Sequence, residues 1–449
     1  MLTIAGPSAP EPLYSQLVGA IAGAIDGGEL APGARLPTQR ELARTMGLAI
    51  TTVTRAYAEA ERRGLIRCDV GRGSFVRASE GPADGAGLDL RTNALLPWAF
   101  DSELRAAMQR SLGRDSSANL FGYGPPAGAL HHRAAAAQFL RQTGLAEASA
   151  ERTLLTAGAQ HAMAVALLAL AEPGDVVLTE AFTYPGIKQL ADALRLRLVP
   201  VAMDRHGLLP DALRKAARQH RARILYAVPT LQNPTSAVLT RARARALAAV
   251  VSDLGIRLLE DDSYGFLMPE APRLAPLLPG AVVLTGPSKA LAPGVRFGVL
   301  HAPLDLVPRF ENAIAATANC ASPLACELVS DWIRDGIAER VMAWKRQEVA
   351  ARQQVVAEAL AGLTVQTHPM SPHLWIPLPA PWTAHRFVSQ AAARGVLVSP
   401  AERFAVGSDD TAAIRVCLGP PATREALRKA ITTLGDLLRQ GPGSAHPLA

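Results

Sequence analysis

Two units in series are expected from this chain of 449 residues. The first is a small helical unit ending in a β-ribbon, and the second is a larger α/β part built on a mainly parallel sheet. Three observations lead there. Leu13, Leu17, Ile21 and Ile25 recur every fourth residue and open a run of short amphipathic helices. The stretch "ASEGPADGAG" is small and acidic with no apolar periodicity, so it reads as a linker over 78–87. Beyond it, short Val/Leu/Ile runs alternate with helical stretches, the pattern of a parallel sheet covered by helices on both faces.

The first helix is expected over 12–27, stopped by Gly27-Gly28. "APGARLP" makes a turn. Thr38 is then placed to cap a helix over "TQRELARTMG", with Leu42 and Met46 on its inner face and Gly47 at its end. "LAITTVTRAYAEAERRG" gives the next helix, with Val53 and Tyr57 one turn apart in the core and Gly64 as terminator. Two short helices joined at a glycine make a helix-turn-helix. "LIRCDVGRGSFVR" alternates around Gly71-Arg72-Gly73 and reads as a two-stranded wing, which completes a winged helix-turn-helix over 1–77. Between Arg35 and Arg77 nine arginines face four acids. The arginine fork suits phosphates and guanine edges.

In the second part, 88–449, strands are read at 175–180, 196–203, 223–229, 256–262 and 281–286. From about 338 to 440, a long helical stretch, "HLWIPLP" and a final helix near 423–439 form a smaller C-terminal α/β part. The continuous apolar run Ala162 to Ala171 falls far short of the roughly 20 residues of a membrane span. The opening "MLTIAGPSAPEPLYSQ" has neither the basic nor the apolar region of a secretory signal. Cys68, Cys320, Cys326 and Cys417 form no CxxC pair and no ligand cluster, so reduced packing cysteines, no metal and a cytoplasmic location are expected.

Chemistry collects after three of the strand runs. Asn233 follows "RILYAVPTLQ", Asp261 closes "IRLLED", and Lys289 follows "AVVLTGPS", with Tyr264 just beyond Asp261. Parallel strands open their carboxyl ends on one edge, so an amide, a carboxylate and an amine should converge there. Singly, each has a plain reading: a turn asparagine, a surface acid, a solvated lysine. Jointly they suit pyridoxal phosphate, which requires a lysine amine to form an imine and a carboxylate to keep its ring nitrogen protonated. Gly158-Ala159-Gln160 precedes a helical run and offers an anion its backbone N–H groups. Ser288 and Arg296 add a hydroxyl and a guanidinium.

The segments "FGYGPPAG", "TAGAQHA", "AFTYPG", "QNPTS", "EDDSYG", "SKALAPGVRFG" and "AIRVCLG" make positions 90–435 resemble the fold type I aminotransferases. The resemblance implies Lys289 as the Schiff-base lysine, Asp261 against the pyridine nitrogen, and Asn233 with Tyr264 at the phenolic oxygen. It implies Tyr184 stacked on the ring and Ala159, Gln160, Ser288 and Arg296 around the phosphate. Arg415 would take an amino acid's carboxylate, and Tyr123 would reach the phosphate of a partner subunit, making a homodimer part of the site. Two positions depart from the pattern: Gly286 stands where a small hydroxyl is common, and "NPTS" replaces "NPTG".

The segments "PLYSQLVGAIAGAI", "GELAPGARLPTQRELARTMGL", "TTVTRAYAEAERRGLI" and "GRGSFV" resemble the GntR-type winged helix. Paired with an aminotransferase-like domain, this looks like the MocR family of transcriptional regulators. By that resemblance Arg40, Thr51, Thr52 and Arg55 are placed to touch the phosphates or bases of a double-stranded DNA operator, and Arg72, Gly73 and Ser74 to enter a minor groove. Ala49-Ile50 stands where the family commonly has a Ser-Arg pair.

The same lysine serves two classes of function. One is a regulator that senses a small amine or amino acid through aldimine exchange at Lys289; the other is a working aminotransferase with an accessory DNA-binding domain. A regulator sensing pyridoxal phosphate itself also fits. The regulator is favoured, because a winged helix has no role in transamination and its arginines have one in phosphate binding.

Overall fold

The computed structural model describes residues 12–26, 30, 34–62, 65–69, 73–76, 87–94, 101–114, 120–408 and 410–441. Gly27-Gly28, Arg63, Gly64, Gly71-Arg72, Arg77 and residues 78–86 lie outside them. The chain divides into two units, Met1–Ala86 and Gly87–Ala449.

In the first unit the fourfold apolar spacing becomes helix α1 (Leu13–Asp26), with Leu17 and Ile21 fully buried and Leu13 and Ile25 half-buried. Thr38 caps α2 (Gln39–Met46) as expected. Its Oγ1 accepts from Glu41 N at 3.3 Å, and Glu41 Oε2 accepts from Thr38 N at 2.9 Å, so two N–H groups that a helix start leaves open are satisfied reciprocally. Gly47 ends the helix at φ 65°, a conformation a side chain would resist. In α3 (Ile50–Arg62), Val53, Ala56, Tyr57 and Ala60 are buried against α1 and α2. The Tyr57 hydroxyl donates to Pro37 O at 2.8 Å, which gives the one polar atom of that buried ring a partner. Strands β1 (Ile66–Asp69) and β2 (Gly73–Val76) pair antiparallel as the wing.

The second unit begins with β3 (Leu88–Asp89). Its main sheet uses β4 (Thr153–Thr156), β5 (Val176–Glu180), β6 (Arg197–Val201), β9 (Ile224–Ala227), β10 (Arg257–Asp261), β11 (Val282–Thr285) and β12 (Gly298–His301), in the spatial order β4-β12-β11-β10-β9-β5-β6. A ribbon of β7 (Met203–Asp204) and β8 (Gly207–Leu208) stands apart from it, so the strand expected over 196–203 ends early, at Val201. Only β12 runs against its neighbours, β11 and β4. The sequence reading missed both β4 and β12.

Alternate residues on the central strands face opposite cores, as period-two strands must. Val177, Ile224, Tyr226, Leu259 and Val282 face α6 (Ala159–Leu170) and α11 (Val307–Ala318), while Leu178, Leu225, Ala227 and Leu258 face α8 (Pro210–His220) and α9 (Arg241–Asp253). Helices α4 (Asp101–Arg114), α5 (Leu130–Gln142), α12 (Pro323–Arg334) and α13 (Ile337–Ala359) share a third core with Val283 and Val299. The remaining large-sheet helices are α7 (Pro185–Ala193) and the one-turn α10 (Pro287–Ala290).

A smaller layer follows. Strands β13 (His373–Pro377), β16 (Ala413–Cys417) and β15 (Ser399–Pro400) form an antiparallel sheet under α14 (Ala384–Ala393), α15 (Arg424–Gln440) and the end of α13. Strand β14 (Val396–Leu397) pairs with β3, so the residues just past Gly87 return to this layer. Among the described residues no helix is long and apolar enough to cross a membrane.

The capping box gives the first unit a measurable handle. Replacing Thr38 with alanine should cost about 1 kcal/mol of α2 stability, read as several-fold faster hydrogen exchange across residues 39–46 while α13 is unaffected.

Candidate functional site

Strands β9, β10 and β11 are parallel neighbours, so their carboxyl ends open side by side. Asn233, Asp261 and Lys289 meet there on the wall of one cavity of about 590 Å³. Ala159, Gln160, Tyr184, Tyr264, Ser288, Arg296 and Arg415 line the same cavity.

Of the paired acids in "EDDSYG", strand alternation decides which one faces in. Asp261 lies on the cavity side, held by the Tyr226 hydroxyl at 2.7 Å and by Ser263 N and Oγ at 3.1 and 2.5 Å. Burial pushes its pKa up, and these donors and the Lys289 charge oppose the rise. Asp262 turns the other way to the buried Arg273 at 3.0 Å, and burial pushes its pKa up to about 6 despite that partner.

Lys289 sits on α10, one turn past the end of β11, half-buried. Its Nζ donates to Asn93 O. Burial lowers its pKa, which leaves more of the amine neutral and therefore nucleophilic. The carbonyls of Lys289 and Leu291 in turn accept from Lys345 Nζ at 3.0 Å each. Lys345 comes from α13, is almost fully buried, and has its pKa pushed down to about 7 by burial and then by the Lys289 charge.

The N-terminal end of α6 faces Arg296. Gly158 adopts φ 95°, and a Cβ there would lie 2.6 Å from Arg296 Nη2, so a glycine is what allows the guanidinium in. Arg296 Nη2 donates to Ala157 O at 3.3 Å. Among the described residues, Ser288 Oγ and Gln160 Oε1 are buried here with no hydrogen-bond partner. An open hydroxyl, a guanidinium and a helix N-terminus together fit a phosphate.

Arg415, on β16, is buried; its Nη1 donates to Asn233 Oδ1 at 2.9 Å and its Nη2 to Arg91 O. Its guanidinium carbon lies 4.6 Å from the Phe404 ring centroid, and its Nε is unpartnered. Asn233 thereby keeps its donor end for the cavity. Tyr264 accepts from Asn93 Nδ2 at 2.6 Å.

Both departures have a structural account. At Gly286 a Cβ would lie 2.7 Å from Phe297 O, so the close β11–β12 approach excludes a side chain there. Ser236 adopts a left-handed φ of 62°, and its hydroxyl reaches Ser371 Oγ at 2.8 Å and His373 O at 3.0 Å. The serine thus gives the turn two contacts that a glycine could not make.

Tyr123 is not in the cavity. It is 91% exposed, beside a second cavity lined by His131, His132 and Glu327. Those three are the described residues close enough together to hold a metal. Glu327 is already engaged by His132 at 2.6 Å and Arg334 at 2.8 Å. In the first unit Arg40, Thr51 and Arg55 are exposed and Thr52 is half-buried. Arg55 lies 4.0 Å over the Tyr14 ring, which orients it from α1. Gly73 packs against Arg35, and the Ser74 hydroxyl lies 3.2 Å from Cys68 Sγ. Arg72 lies outside the described residues.

Sequence reasoning missed Asn93, Tyr226, Ser263 and Lys345. Tyr226 had a signal, being the polar-tipped residue in the otherwise aliphatic "ILYA". Asn93 had none, because it reaches Lys289 and Tyr264 across nearly two hundred residues.

A winged helix-turn-helix and a fold type I domain in one chain define the class. Residues 87–434 match the aminotransferase class I and II model, and residues 13–76 match that of bacterial regulatory proteins of the gntR family. The helix-turn-helix-type transcriptional regulator YdeF of Bacillus subtilis is 30% identical over 96% of this chain and 95% of its own length. YdcR of Escherichia coli, of the same type, is 26% identical over 88% and 92%. Among solved structures, an archaeal alanine:glyoxylate aminotransferase superposes with a TM-score of 0.73 at 21% identity, over 79% of this chain and 91% of that one. A kynurenine aminotransferase of Pyrococcus horikoshii gives 0.73 at 20%, over 80% and 92%. The chain belongs to the aminotransferase class I and II family and, with its gntR-family domain, to the transcriptional regulators of MocR type. The cofactor of this family is pyridoxal 5'-phosphate, and the open Ser288 hydroxyl, the buried Asp261 and the Lys289 amine fit it.

Two outcomes follow from this geometry. Gly286→Ser should clash with Phe297 O and loosen cofactor retention on dialysis; tighter retention would contradict the packing account. For Lys345, a folded pKa near 7 against an ordinary value of 10.5 means the unfolded chain binds more protons between those limits. Stability therefore rises with pH across that window. Lys345→Met should reduce the rise, read from denaturant midpoints between pH 7 and pH 10.

Proposed function

We propose that this regulator binds duplex DNA through its first unit and a small amine or amino acid in the Lys289 cavity. The observation that carries this is the presence, in one chain, of an exposed Arg40–Thr51–Arg55 surface on a winged helix and a cavity in which Lys289, Asp261 and Arg415 converge. Bound pyridoxal phosphate supplies an aldehyde carbon that Lys289 takes covalently and that an effector's amine can claim instead. Asp261 would keep a proton on the ring nitrogen, and Arg296 with Ser288 and the α6 N-terminus would hold the phosphate. Asn233 and Tyr264 would face the ring oxygen, Tyr184 the ring itself, and Arg415 the effector's carboxylate. Lys289 Nζ, once released, would carry the proton that the effector's ammonium gives up. For this to change DNA binding, the effector must bind two arrangements of the protein with different affinity.

Phe121, Tyr123 and Leu130 are 71%, 91% and 64% exposed. We take this apolar surface to be met by a second copy, with Tyr123 reaching that copy's phosphate. Two copies would present two winged helices to a two-part operator, and such a role belongs in the cytoplasm. The convergence of Lys289, Asp261 and Arg415 also supports a second reading, a working aminotransferase.

Footprinting of full-length protein on its own upstream region distinguishes the two. The expected result is a protected site whose occupancy changes with an amine effector. Lys289→Ala should keep the protection but lose both the cofactor's visible absorbance and the response. No protection of any site, together with multiple-turnover exchange of amino groups, would replace the regulator with the enzyme.

A further inference from the structure

The proposed cofactor and carboxylate leave one cation of the Lys289 cavity without a task. Arg296 serves the Gly158 turn, and Lys289 is the attachment point. Arg91 is committed to Asp89, Nε to Oδ1 and Nη2 to Oδ2, at 2.9 Å each. Arg415 faces Asn233 and the effector. Arg403 also lines the cavity and is exposed, and among the described residues its guanidinium has no hydrogen bond or ion pair.

Its backbone, by contrast, is tightly held. Lys188 Nζ, from α7, donates to the carbonyls of Glu402, Arg403 and Ala405 at 3.4, 3.2 and 2.6 Å. Thr183 N donates to Phe404 O at 3.0 Å, and Val406 N to Ala181 O at 2.9 Å. The turn is thus stitched to the segment that carries Tyr184. The next residue, Phe404, supplies the ring beneath Arg415. Arg403 therefore presents a free charge from a fixed platform beside the Arg415 site, and its field reaches the cavity residues Asp89 and Tyr184. Fixed backbone with an uncommitted guanidinium is how a selective anion contact is pre-organised.

We propose that Arg403 is a second anion-binding point of the effector pocket, and that the effector is an amino acid with an acidic side chain. Arg415 takes its α-carboxylate and Arg403 the second acid. This rests on the reading of the Lys289 cavity as an effector site.

The test is a visible-absorbance titration of full-length holoprotein with L-aspartate, L-glutamate and L-2-aminoadipate, each set against its neutral counterpart L-asparagine, L-glutamine or L-norleucine. At least one acid should bind about tenfold more tightly than its counterpart, a difference of about 1.4 kcal/mol. Arg403→Met should bring that ratio near one and leave the affinity for the neutral amino acid unchanged, and Arg403→Lys should restore part of it. Equal binding of every acid and its counterpart by the wild type overturns the proposal and leaves the effector site standing. So does an Arg403→Met variant that weakens both alike. A spectrum that no amino acid perturbs overturns the effector site as well.

Discussion

The functional centre depends on one constraint: three adjacent parallel strands must end on the same edge. Nothing local in the chain brings Asn233, Asp261 and Lys289 together, and β9, β10 and β11 do so through ladder register alone. That register also selects Asp261 over Asp262. A slip of one residue would turn the wrong carboxylate into the cavity and send Asp261 toward Arg273. Tyr226 lies on the same face of the neighbouring strand, so the hydroxyl that holds Asp261 follows from the same alternation.

Close backbone approach is the second determinant. Gly158 and Gly298 touch so nearly that a Cβ on Gly298 would sit 2.3 Å from the Gly158 carbonyl carbon. This contact sets the antiparallel strand β12 against β4 and brings Arg296, two residues before Gly298, to the N-terminal end of α6. Gly286 belongs to the same tight corner. What looks in the sequence like the loss of a hydroxyl is the accommodation of Phe297's carbonyl.

Much of this was legible beforehand. The winged unit could be read from spacing and caps, because its core is local: Leu17, Ile21, Val53 and Tyr57 lie on periodic helices, and Thr38 with Glu41 forms a motif contained in four residues. The five apolar strands were readable from their own Val/Leu/Ile runs, and Asn233, Asp261 and Lys289 from their places just after three of them. Partners that arrive from distant chain positions were not. Asn93 meets Lys289 by tertiary return, Lys345 approaches from a helix whose sequence pattern is ordinary, and Arg403 differs from any surface arginine only in how its turn is tied down. Strands β4 and β12 were passed over, although at four residues each they match β9 and β11 in length.

Helix α13 is a strut shared by two interiors. Its early residues, from Ile337 to Val349, pack in the core beside the large sheet, and Val355 and Val356 pack in the core of the smaller layer. Lys345 projects from the middle of that rod and donates to the peptide carbonyls of Lys289 and Leu291. The smaller layer thus has a mechanical handle on the turn that carries Lys289. Any rotation that shifts the rod drags that turn with it, and any movement of the turn is felt along the rod.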